Sequence, residues 1–118
     1  YMPGFWYPET LNLVDNNFDK ISEICSFLKM SEQMKQKKSI LIFNKVPNEN
    51  ALSKEKVSKW INMAIIKAEK NKIVGKELTP FLIKKINESS NNQTLNANMS
   101  LIINNADLAG KIAKDFYS

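Results

Sequence analysis

The chain has 118 residues, a net charge of +5 and 43% apolar residues, enough for one domain or part of one and too apolar for a wholly disordered chain. All 17 basic residues are lysine, so the arginine that reads bases and phosphates bidentately is absent, which argues against a nucleic-acid partner. No histidine is present and Cys25 stands alone, which excludes His-based triads, most zinc sites and an internal disulfide; no run reaches the roughly 20 apolar residues of a membrane span.

Residues 1–8 crowd Tyr1, Phe5, Trp6 and Tyr7 among Pro3, Gly4 and Pro8. Such a segment is irregular and packs its aromatics into a core or along a pocket wall. Alternation at 11–14 suggests a short strand. A helix is expected over 17–32, capped by Asn16 or Asn17, with Phe18, Ile21, Ile24, Cys25 and Leu28 on its apolar face. Cys25 is a small core residue in that reading, since no histidine exists to activate it. The unbroken run Ile40-Leu41-Ile42-Phe43 reads as a buried parallel strand over 39–44. Asn44 then falls at a strand's carboxyl end, where open α/β sheets bind ligands; the alternative is a turn-forming Asn before Pro47.

Further on, Ser53 caps a helix over 54–71 whose buried face is Val57, Trp60, Ile61, Ala64, Ile65 and Ala68. Thr79 suits an N-cap and Pro80 the first position of a helix over 80–89. Ser89 to Gln93 is a turn, and Thr94 caps a last helix over 95–116. The stripe Leu95, Met99, Ile102, Ala106, Ala109, Ala113 and Phe116 is expected to face the interior, with Asn98 and Asn105 at its margin. Asparagine is a poor helix former, so these two are either solvated surface residues or site residues. Alternating strand and helix predicts an α/β fold class.

Three blocks of residues also carry a resemblance. Gly75-Lys76-Glu77-Leu78-Thr79-Pro80-Phe81-Leu82, then Leu95-Asn96-Ala97-Asn98, then Asn104-Asn105-Ala106 resemble the C-terminal part of pseudouridine-5'-phosphate glycosidase and the indigoidine-synthase A-like proteins of the same family. Ile40 to Pro47 is similar to that family's strand ending in Ala-Asn-Pro-x-Pro, with Lys45 in place of the first proline. Met2-Pro3-Gly4-Phe5-Trp6 resembles its Phe-Pro-Ala-Phe-Tyr.

The resemblance implies that residues 1–118 are the C-terminal segment of one larger catalytic domain, an α/β/α layered enzyme, mostly helical here with at least one buried strand. The implied reaction reversibly cleaves the C–C glycosidic bond of pseudouridine 5'-phosphate to uracil and ribose 5-phosphate. A lysine imine and a divalent metal, typically Mn2+, serve it. Both belong to the family's earlier part, so no catalytic residue and no metal ligand is carried onto this chain. What transfers is binding: Asn98 matches the Asn of the family's Ala-Asn motif at the nucleobase, and Asn44, Thr79 and Asn105 are weaker substrate-binding candidates. A homotrimer and a cytoplasmic location are also implied. A non-enzymatic helical interaction module is the alternative; it requires a self-contained fold.

Overall fold

The computed structural model describes residues 1–118 and contains four α-helices: α1 (Ile21–Gln33), α2 (Lys54–Lys70), α3 (Leu78–Ser89) and α4 (Gln93–Phe116). Short 3-10 turns occupy Asn48–Asn50 and Gly75–Glu77. Helix α2 packs along α3, α1 packs along α4, and the turn between α3 and α4 joins the two pairs.

There is no β-strand, which corrects the expected α/β class and its α/β/α layering. The 39–44 run is extended but pairs with nothing: its backbone makes no ladder hydrogen bond, and Leu41 is 76% and Phe43 47% exposed. A strand needs a neighbouring strand for its N–H and C=O groups, and this chain offers none beside the run. The strand expected at 11–14 is absent too. There the chain only folds back on its start, with Met2 N–H donating to Asn12 O at 2.7 Å and Thr10 N–H to Met2 O at 2.9 Å.

The helix ends are set by local chemistry that differs from the expected caps. Helix α1 begins at Ile21, not near 17, because the Glu23 carboxylate reaches back to accept from the N–H groups of Asp19 and Lys20 at 3.2 and 3.1 Å. Helix α2 starts as expected, with the Ser53 hydroxyl accepting from Lys56 N–H at 3.3 Å. Helix α3 starts upstream of Thr79, since the turn opened by Gly75 at φ +63° runs straight into it. Pro80 is therefore third in the helix, where its missing N–H is still one of the four that lack an intrahelical partner.

The α3–α4 turn places Asn91 and Asn92 at φ 54° and 64°, left-handed positions that asparagine tolerates better than most residues. Beneath it Ser90 and Thr94 are buried, their hydroxyls 2.9 Å apart, and the Ser90 hydroxyl accepts from Thr94 N–H at 3.2 Å. Ser90, not Thr94, therefore satisfies the start of α4.

The centre of packing is small. Val46, Ala97 and Leu101 form a buried cluster, closed by Trp6, Ala51 and Leu52. The Leu52 N–H donates to Trp6 O at 2.6 Å, which pins the aromatic segment to this point. Cys25 is buried between α1 and α4, its thiol 3.5 Å from Ile112 O.

The face of α4 that packs is the one through Ala97 and Leu101; Leu95, Met99 and Ile102 lie on the opposite side and are 46%, 54% and 67% exposed. The expected inward stripe is thus reversed within this chain. The chain exposes 9107 Å², against about 6,500 Å² for a compact protein of its mass. Its radius of gyration is 17.6 Å, where about 13–14 Å fits a compact chain of this length.

Candidate functional site

A groove of about 730 Å³ runs between α1, the extended 36–44 segment and the second half of α4. Its walls are mainly apolar, with Leu28, Ile40, Ile42, Leu108, Ile112 and Phe116, and its polar groups include Asn44 and Asn105. Two of the four expected binding residues are therefore brought together. Asn44 turns its side chain back onto its own chain, where Oδ1 accepts from Lys45 N–H at 3.0 Å, the local turn chemistry of asparagine. Its amide nitrogen is left for another acceptor. Asn105 is exposed on α4.

Asn98 lies two turns before Asn105 on the same flank of α4 and is not part of this groove. It is half-buried, and its Oδ1 is out of reach of solvent with no hydrogen-bond partner. The other buried side-chain polar atom without a partner is the Trp6 indole nitrogen. Asn104, on the opposite flank from Asn98, is structural: its amide donates to Lys45 O at 3.1 Å and ties α4 to the loop before α2. Ser100 does the same work, donating to Asn50 Oδ1 at 2.8 Å. Thr79 stands apart, exposed in the first turn of α3, and neither caps the helix nor lines the groove.

The ionisable groups show no catalytic arrangement. Burial pushes the Cys25 thiol up, with the Asp115 carboxylate beside it adding to the effect, so the thiolate is disfavoured. Glu9 is lowered by its hydrogen bond and ion pair with Lys45 at 3.0 Å, and Glu88 by Lys85 at 2.7 Å. Both pairs are solvent-exposed and act as surface links. No three Asp, Glu or Cys side chains converge in this structure. No helix is long and apolar enough to cross a membrane.

The arrangement of helices is that of one section of a larger solved fold. It superposes on the crystal structure of the prealnumycin C-glycosynthase in complex with ribulose 5-phosphate with a TM-score of 0.82, at 18% identity, covering 95% of this chain and 36% of that one.

The chain belongs to the indigoidine synthase A like protein family, whose model matches residues 1–115. It is 41% identical over 115 residues to a pseudouridine-5'-phosphate glycosidase of Petrotoga mobilis, covering 98% of this chain and 38% of that protein. It is 37% identical over 113 residues to the enzyme of the same name from Kosmotoga olearia, covering 96% and 39%. The chain thus spans less than two-fifths of the relatives' length.

Sequence reasoning did not single out Trp6 for its indole nitrogen. The signal was present in the aromatic segment around it, but an unpaired N–H becomes visible only once Trp6 is seated on the cluster.

Proposed function

We propose that this chain is the C-terminal segment of a pseudouridine-5'-phosphate glycosidase, in which it supplies nucleobase binding and not the catalytic groups. The observation that carries the reading is the match along nearly the whole chain, at 41% identity, to a protein of that name. The excess surface and the open face of α4 support a segment that is covered by the rest of one catalytic domain. They also count against a self-contained interaction module, which would close its own core.

In this reading Asn98 addresses the uracil. Its Oδ1 is buried, so its NH2 group is the end left to donate to a carbonyl of the base. Asn44 and Asn105 would line the approach, as polar groups in an apolar groove. Thr79 keeps no argument beyond its place in the matched run. The imine lysine and the divalent metal, manganese, would be held outside these residues, within a cytoplasmic homotrimer.

The test is pseudouridine 5'-phosphate cleavage by the assembled enzyme carrying Asn98→Ala, with manganese present and a melting curve beside it. The loss of one hydrogen-bonding partner for a buried base should cost about 1–3 kcal/mol, or about 5- to 150-fold in kcat/KM, with little change in Tm. Asn98→Asp should also be poor, since it exchanges the donor for a charge that must be desolvated. Unchanged kinetics with a large fall in Tm would show Asn98 to be structural.

A further inference from the structure

The two buried side-chain polar atoms without a partner are a donor and an acceptor: the indole N–H of Trp6 and the amide oxygen of Asn98. Both belong to residues that border the same buried cluster. Trp6 packs against the cluster of Val46, Ala97 and Leu101, and Asn98 follows Ala97 in α4 and precedes Leu101 by one turn. Buried polar groups are nearly always paired, and each of these two has the group the other lacks.

We propose that the Trp6 N–H is the bonding partner of the Asn98 amide oxygen, and that Trp6 thereby acts as a positioning residue for the nucleobase contact. The parent residues are already held: Trp6 by its carbonyl, which accepts from Leu52 N–H at 2.6 Å, and Asn98 by the helix. Trp6 and Asn98 each keep side-chain torsions about which the pair would close. Its chemistry fixes which way the amide faces. An indole only donates, so it accepts the oxygen end of Asn98 and rejects the NH2 end. With the oxygen turned inward, the NH2 group is the end presented to a ligand, and it selects a carbonyl acceptor on the base. This rests on the reading that Asn98 contacts the base, and the two ideas are separable by experiment.

The chain has two tryptophans, Trp6 and Trp60, so isotope labelling of the indoles of this chain only, before it is combined with the unlabelled remainder of the enzyme, gives one resonance to follow and one internal control. Trp6→Phe identifies the first by its loss. Asn98→Ala is expected to shift the Trp6 N–H resonance and to speed its exchange with solvent, leaving that of Trp60 unchanged. In kinetics, Trp6→Phe is expected to lower kcat/KM about 2- to 12-fold, the size of one neutral hydrogen bond, and to have no further effect in an Asn98→Ala background. Benzothienylalanine in place of Trp6 keeps the bicyclic ring and lacks the N–H, so it should match Trp6→Phe in kinetics with a smaller fall in Tm. A Trp6 resonance indifferent to Asn98→Ala overturns the pair. Additive kinetic losses, or full activity with benzothienylalanine, overturn the positioning role and leave Trp6 a packing residue. Unchanged kinetics in Asn98→Ala beside a shifted Trp6 resonance would reject the base contact, and the positioning role with it, and retain the pair as a structural bond.

Discussion

The two sides of α4 carry similar amounts of apolar side chain and meet different fates. One side, through Ala97 and Leu101, is closed by Val46, Trp6, Ala51 and Leu52. The other, through Leu95, Met99 and Ile102, faces solvent, as does the extended run from Ile40 to Phe43. The helix is apolar on two sides and this chain buries only one of them. The comparison separates residues that hold this chain together from apolar residues that it leaves exposed.

The largest expected effect tests the closed side. Leu101→Ala removes a buried side chain from a small cluster and should cost about 2–5 kcal/mol in urea titration followed by circular dichroism. Ile102→Ala, next door on the open side, should stay within about 0.5 kcal/mol in the chain alone. In the assembled enzyme the difference should narrow, because both sides are then covered. Equal losses in the chain alone would break the comparison.

A second contrast concerns polar packing. Ser90→Ala removes the hydroxyl that serves Thr94 N–H and faces the Thr94 hydroxyl, and should cost about 1–2 kcal/mol by the same measurement. An exposed hydroxyl such as Thr79→Ala should cost far less, since Thr79 caps nothing.

The sequence made the four helices legible because each carries an amphipathic period that some part of this chain satisfies. The strand expected at 39–44 fails for a different reason. An unbroken apolar run states that burial is favourable, and says nothing about whether a neighbouring strand is supplied. The error on α4 is of the same kind: its Leu95–Met99–Ile102 stripe is real, but Ala97 and Leu101 on the other side found partners within the chain. Thr79 and Thr94 failed as caps for local reasons. The Gly75 turn began α3 early, and Ser90 reached Thr94 first. At the site, Asn44 and Asn105 share a groove, yet nothing in their spacing could place Asn98 outside it or show that Trp6 carries an unpaired N–H.

Smaller effects follow from the ionisable groups. The Cys25 thiol, raised by burial, stays protonated to higher pH in the folded chain than in the unfolded one. Alkylation should therefore be slow in the native state and fast after denaturation, and thiolate formation in the unfolded chain should favour unfolding as pH rises past the ordinary thiol range. Rapid native alkylation at neutral pH would contradict the burial of Cys25 between α1 and α4. The Glu9–Lys45 pair should matter least. The lowered Glu9 carboxyl contributes above its ordinary range and loses the contribution as pH falls through the native value, but the pair is exposed, so Glu9→Gln should hardly move Tm at neutral pH.

The most direct test of the central claim is cleavage of pseudouridine 5'-phosphate by this chain, alone and combined with the part of the family domain that it does not match. The account predicts no uracil release by the chain alone, release on combination, and a loss of about 5- to 150-fold in that release when the chain carries Asn98→Ala. Equal activity with and without the complementing part, or full activity of the Asn98→Ala combination, would contradict it.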